Sequence, residues 1–318
     1  MTAEATPQNM NNAPDWLAAL PPLRGKLMPD VVLGDICWFR VGGSADIVFM
    51  PADPEDLSTF LAALPRHVPL TVLGAGSNVL VRDGGIRGAV IRLGAAFGEI
   101  TQTDETALMA GAAALDVRVA RAAAEASIAG LAFYRGIPGA MGGAVAMNAG
   151  AYGGETRDVL VEVEWLDRDG EHHVSAVDAL DLSYRHNGHE GFKVYTAVRL
   201  KGARGDKAKI LAAMEEISDK REDSQPVKAR TGGSTFKNPD GSSPDGLKAW
   251  KLIDAAGCRG LRVGDAQVSE QHCNFLINHG VATAADLEAL GESVRQRVHD
   301  TSGIDLHWEI KRMGEARA

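Results

Sequence analysis

The chain of 318 residues is poor in cysteine, with Cys37, Cys258 and Cys273 as its three, an odd count with no CxxC pair. That excludes a disulfide framework and a zinc knuckle, and it reads as reduced thiols in a cytoplasmic protein. No run of about 18 apolar residues occurs, which excludes a membrane-spanning helix. The start, MTAEATPQNMNNAPDW, lacks the cationic beginning and apolar stretch of a signal peptide, and residues 1–26 read as a loose tail. Positive charge is also short: Lys and Arg total 33 against 42 Asp and Glu, a net charge of −9. A broad nucleic-acid surface needs dense positive charge and is excluded, whereas a small anionic ligand needs only a few cations and backbone N–H groups. There is no GK[ST] and no HExxH, so neither a P-loop nor a zincin is present. His172 and His173 flank a hairpin, His186 and His189 sit in a loop and His272 precedes Cys273, in no ligand-like spacing, so no metal site is expected.

What the chain has is glycine, 36 of them, in clusters. Three units frame them. The first, 27–95, reads as a small α/β unit. WFRVGGSADIVFMP suggests strand, turn and strand; DPEDLSTFLAALPRH a helix with an acidic start; VPLTVLGAGSNVLV a strand into a glycine turn. The second, 96–221, holds a strand at ALMAGAAA, an Ala-rich helix ended by Gly130, a hairpin turning at Asp169-Gly170, a strand at VYTAVRL and a solvent-facing helix at KAKILAAMEEISDKRED. The third, 222–318, holds helices near KAWKLIDAAG and 283–299, and strands at DAQVS, NFLINHG and HWEIKRMG.

Two glycine loops carry chemistry. At LGAGSNVLV, residues Gly74, Ala75, Gly76, Ser77 and Asn78 follow an apolar strand, where successive N–H groups can cradle a pyrophosphate; a tight turn between strands is the plain alternative. At GIPGAMGGAVAMNAGAYGGE, glycines interleave with Ile137, Pro138, Met141, Val145 and Met147 rather than with polar linker residues, a pattern suited to backbone pressed against a flat ligand. The stretch RTGGSTFKNP adds a hydroxyl, Ser234, behind two glycines, with Lys237 and Asn238 close by. Alone, Ser234 could cap a turn, Arg185 could be a surface arginine and Glu309 could face water.

Taken in order, FRVGGSAD, LGAGSNVLV, GIPGAMGGAVAMNAGAYGGE, SYRHN, GGSTFKNP, LIDAAGCRG and HWEIKRMG resemble the UDP-N-acetylenolpyruvoylglucosamine reductase family over about residues 30–314. The short SYRHN-to-GGSTFKNP interval resembles its shorter class. The resemblance implies an α+β fold: a two-part FAD-binding domain of the vanillyl-alcohol-oxidase type, then a C-terminal α/β substrate domain. It implies that NADPH reduces a non-covalently bound FAD, and that hydride then passes to the enolpyruvyl ether of a UDP-sugar to give UDP-N-acetylmuramate for peptidoglycan. It implies Ser234 as proton donor, Arg185 holding the substrate carboxylate and Glu309 orienting the site. Flavin contacts are expected at Arg40, at Gly74 to Asn78 with Val79 and Leu80, at Gly136, Ile137, Pro138, Gly139 and Gly143, and at Asn148 and Ala149. Substrate contacts are expected at Tyr152, Lys237 and Asn238, with Lys228 and Arg230 as further candidates. A cytoplasmic monomer is expected. The rival readings are a flavin-dependent sugar or alcohol oxidase of the same fold and a nucleotide-binding module without turnover.

Overall fold

The computed structural model describes residues 14–317 except 242, 244 and 245. Its first sheet runs in the order Lys26–Val32, Ser44–Met50, Ile86–Ile91, Leu70–Val72. The first pair is antiparallel and the other two are parallel. The helix Pro54–Ala63 is specified locally: Asp53 caps it by accepting the Asp56 N–H at 3.0 Å, and proline stands at its first position. Phe49 and Phe60 stack the helix on the sheet at 4.3 Å between ring centroids.

Two expectations fail here. Residues 38–41 form no strand; the partner of Ser44–Met50 is Lys26–Val32. The reason is local: Arg40 has φ 56°, and the Trp38 N–H bonds the Gly76 carbonyl instead of a ladder partner. The loose tail falls partly outside the described residues, at 1–13. Beyond it, Asp15–Ala19 is a 3₁₀ helix, and Trp16, Leu20 and Leu23 pack against the core of the first unit.

The second sheet is antiparallel throughout, in the order His172–Ala176, Leu160–Leu166, Val194–Lys201, Ala107–Gly111, Ile100–Asp104. The helix Asp116–Glu125 packs into the same core through Val119, Ala120, Ala123 and Ala124, all fully buried. Small side chains at this spacing let a helix approach its neighbours closely. This helix stops at Glu125, not at Gly130; Ser127 turns the chain with φ 58° and Gly130 follows the short strand Ile128–Ala129. The helix Lys207–Ser224 runs past the expected boundary at 221.

In the third unit, Ala249–Ala255 and Ala284–Ser302 pack with the strands Arg262–Val263, Ala266–Val268 and Leu276–Asn278. Its core also takes in Phe39, Val41 and Leu80 from the first unit. The closing strand is short, Lys311–Met313, and pairs in parallel with Val79–Val81. The C-terminal segment is thereby tied to the first glycine loop. The helices, the mixed first sheet and the antiparallel second sheet fit the expected α+β class.

Candidate functional site

Two cavities meet where the three units converge. One of about 590 Å³ is lined by the 74–79 run, the 136–139 run and the 231–234 segment. One of about 560 Å³ adjoins it and shares Val72, Gly74, Ala75, Ala140, Gly143 and Ala146. At Gly74 and Gly143 no atom stands within 4 Å of where a Cβ would be. Backbone alone forms the wall there, and any side chain would project into open space. This is the fit a flat, extended cofactor needs. The second glycine-rich stretch is not a loop throughout: Met141–Met147 is helical, and Gly142 sits where a Cβ would lie 3.2 Å from that of Ala112.

Ser234, Arg185 and Glu309 line the larger cavity together. Arg185 Nε donates to Glu309 Oε1 at 2.9 Å and Nη2 donates to the Gly150 carbonyl at 2.7 Å. The arginine is held in a left-handed conformation, φ 52°, and its guanidinium lies 5.1 Å from the Tyr184 ring centroid. Such strain persists only when surrounding contacts fix it, and it clusters at functional sites. Burial raises the Glu309 pKa above the usual glutamate range, while the charge and hydrogen bond of Arg185, and the charge of Lys237, oppose the rise.

The strand-like segment around Ser234 is clamped on both sides. Ser234 bridges Phe275, Thr235 N–H bonds the Asn274 carbonyl at 2.7 Å, and Glu309 N–H bonds the Thr235 carbonyl at 2.8 Å. Asn274 completes the clamp by exchanging two hydrogen bonds with the Phe236 backbone. Of the two glycines before Ser234, Gly233 has φ 84° and faces open space. Gly232 serves packing, since a Cβ there would lie 2.4 Å from the Phe39 ring.

Several expected residues lie off the cavities. Arg40 is exposed and its guanidinium bonds the Asp35 carbonyl. Leu80 is fully buried in the core of the third unit. Asn148 is fully buried as well, donating to Glu155 and the Ser183 carbonyl and accepting from the Arg157 N–H, which fixes the turn after the helix. Lys237 Nζ donates to the Arg185 carbonyl. Asn238 Oδ1 accepts the Ala249 N–H at the start of its helix. Lys228 and Arg230 are also off the cavities, and Arg230 donates to the Gly280 carbonyl. Ala149 and Tyr152 do line the larger one. Asn78 lines it, yet its amide is engaged, donating to Met147 Sδ and the Glu309 carbonyl.

Sequence reasoning missed Asp116 and Arg221 in the cavity wall. Arg221 had a signal: Ile210, Met214 and Arg221 follow a helical spacing, so the face that packs inward near the start of Lys207–Ser224 reaches the cavity at its end. Burial, with Arg135 nearby, lowers its pKa. Three carboxylate or imidazole groups, on Asp167, Glu171 and His173, converge at the hairpin turn, outside both cavities. There Asp167 accepts the N–H groups of Asp169 and Glu171 and meets His173, the geometry of a closed turn. No helix among the described residues is long and apolar enough to cross a membrane.

A profile described as "FAD binding domain" matches residues 45–175, and one described as "UDP-N-acetylenolpyruvoylglucosamine reductase, C-terminal domain" matches 225–313. A reductase of that name from Azorhizobium caulinodans is 55% identical over 309 residues, covering 97% of this chain and 98% of that protein. The chain belongs to the UDP-N-acetylenolpyruvoylglucosamine reductase family. Another reductase of this family, from Methylorubrum extorquens, is 57% identical over 298 residues, 93% of this chain and 94% of that protein. The solved reductase from Thermus caldophilus superposes with a TM-score of 0.77 at 36% identity, covering 92% of this chain and all of that one. As a member of the family, the chain is an FAD-dependent reductase, and the larger cavity is lined by residues of both stretches that the two profiles match.

Proposed function

We propose that this reductase converts the enolpyruvyl ether of UDP-N-acetylglucosamine to UDP-N-acetylmuramate, a step of peptidoglycan precursor synthesis, with NADPH as electron donor. The observation that carries the reading is the meeting of Ser234, Arg185 and Glu309 in the lining of one cavity, which Gly74 and Gly143 line with bare backbone.

Bound flavin supplies the hydride. As it adds to the terminal vinyl carbon, negative charge develops on the neighbouring carbon and spreads into the carboxylate. Preorganised positive charge is worth most at such a site, because water is displaced and nothing need reorient. Arg185 provides it. Nε is committed to Glu309 and one Nη2 hydrogen to Gly150, which leaves Nη1 and the second Nη2 hydrogen for the carboxylate. Glu309 fixes the guanidinium and offsets its charge until substrate arrives. Ser234 then delivers one proton to the carbanionic carbon. An alcohol is a weak acid, but the acceptor is strongly basic and the clamped backbone of residues 234–236 holds the hydroxyl in place. Tyr152, half exposed at the rim with φ 51°, and Arg221 are suited to the nucleotide end of the substrate.

The flavin is held without a covalent bond. Cys37, the thiol nearest the first glycine loop, is buried and its pKa is pushed up to about 11 by that burial, so it is a poor nucleophile. The protein works as a cytoplasmic monomer; three buried free thiols support the compartment, and sedimentation checks the monomer. An anaerobic stopped-flow record tests the reading as a whole. NADPH should bleach the flavin band, and the enolpyruvyl nucleotide should restore it. A reduced flavin that this nucleotide leaves unchanged defeats the assignment.

A further inference from the structure

Asp116 is the first residue of the helix Asp116–Glu125 and lines the larger cavity. Its side chain is fully buried, and neither carboxyl oxygen has a hydrogen-bond partner among the described residues. Few arrangements are so costly: a buried, unsatisfied carboxyl forfeits its hydration with nothing in return. Burial raises its pKa well above the usual aspartate range, and in its protonated form the carboxyl can both donate and accept. The wall in front of it is also special. A Cβ on Gly139 would lie 2.7 Å from Asp116 Oδ2, so the glycine is what leaves room for the carboxyl, and Gly139 lines the same cavity. The Asp116 N–H bonds the Gly139 carbonyl at 3.1 Å, fixing the two together.

A group with these needs wants a ligand carrying hydroxyls. A phosphate oxygen could only accept from a protonated carboxyl and a ring face offers no in-plane partner, whereas a hydroxyl both accepts and donates and so satisfies both carboxyl oxygens. Of the parts of FAD, the ribityl chain and the ribose bear hydroxyls. Asp116 lines the cavity that holds Ser234, Arg185 and Glu309, and it does not line the adjoining one. The redox ring must stand beside Ser234, and the ribityl chain is attached to that ring. We propose that the Asp116 carboxyl hydrogen-bonds a ribityl hydroxyl of the bound flavin, through the gap left by Gly139. The inference rests on the flavin reading of this cavity.

Equilibrium binding of FAD, FMN and riboflavin to the full chain, stripped of flavin and followed by quenching of flavin fluorescence, tests it. Wild-type protein that takes up no FAD would defeat the flavin reading itself. With wild-type binding in hand, Asp116→Leu should weaken all three flavins by about tenfold or more, the loss of a buried hydrogen bond. Asp116→Asn, which keeps a donor and an acceptor in the same shape, should stay within about threefold of wild type. The leucine variant should also melt no lower than wild type without flavin, because an unsatisfied acid has been removed. Unchanged affinity in Asp116→Leu overturns the proposal, as does a loss confined to FAD with riboflavin unaffected, which would put the contact on the adenosine half. Should Asp116→Leu not fold, wild-type protein is titrated with riboflavin and its 2′-, 3′- and 4′-deoxyribityl analogues. One analogue should bind about tenfold more weakly than riboflavin, and equal binding of all four overturns the proposal.

Discussion

Arg185 and Glu309 stand 124 positions apart in the chain and meet through a 2.9 Å hydrogen bond from Nε to Oε1, with side-chain exposures of 17% and 11%. Removing one member of such a pair costs more than the pair contributes, because the survivor stays buried without its partner. Arg185→Met should therefore destabilise the chain by about 3 kcal/mol in urea unfolding, whereas Glu309→Gln, which preserves an acceptor, should cost about 1 kcal/mol. Equal and small losses would show that the pair is solvated. Both variants should lose turnover with the enolpyruvyl nucleotide.

Ser234→Ala separates the two halves of the reaction. Reduction of the flavin by NADPH requires no proton from this hydroxyl and should keep its rate. Re-oxidation by the enolpyruvyl nucleotide should slow by about 10²-fold to 10⁴-fold, the range for loss of a positioned proton donor. Stopped-flow absorbance reads both steps on one sample. A matching fall in both rates would mean that the serine acts on flavin placement instead.

The sequence carried local elements well and side-chain commitments poorly. The helix at 54–63 was legible because its cap, its proline and its apolar spacing all lie within ten residues. The ladder between Lys311–Met313 and Val79–Val81 was not, since nothing in either segment names a partner more than 200 positions away. The proposed catalytic trio was named through the family resemblance, and all three residues line one cavity. Asn148, Lys237 and Asn238 carry the donor and acceptor types of a binding site, yet each spends them on the protein's own backbone or a neighbouring side chain. Composition cannot tell an amide that binds a ligand from one that caps a helix. Asp116 was hidden for the opposite reason: an acid at the start of a helix is the commonest surface feature, and its burial depends on the long-range packing of a glycine.

Two helical glycines give opposite outcomes on mutation to alanine. Each gains about 1 kcal/mol from helix propensity alone. At Gly291 the new Cβ would lie 2.3 Å from the ring of Trp308, which is itself held by Glu292 and covered by Arg312. Overpacking of about 1–3 kcal/mol outweighs the gain, so Gly291→Ala should lower the melting temperature. It should also reduce turnover, because Trp308 precedes Glu309. At Gly143 no atom is near, so Gly143→Ala should melt higher without flavin and bind FAD more weakly. Calorimetry with and without FAD checks both; a Gly143→Ala protein with undiminished FAD affinity would remove that glycine from the cradle.

The pH dependence of stability isolates Asp116. Its folded-state pKa lies above the unfolded value, with burial as the cause. The native chain therefore holds this proton more tightly than the unfolded chain does. The associated stabilisation is complete below the unfolded pKa, about 4, and is lost as pH rises toward the folded value. Asp116→Asn does not titrate. The neighbouring Tyr134 hydroxyl, buried and also pushed upward, stays protonated throughout this window and adds no slope. Without flavin, wild type and Asp116→Asn should have similar stability near pH 4, and the variant should gain an advantage as pH approaches 7, each pKa unit of elevation being worth about 1.4 kcal/mol. Urea unfolding at several pH values measures the difference directly. Parallel curves for the two proteins would mean that the acid already ionises at its ordinary value, and that water reaches it in the flavin-free chain.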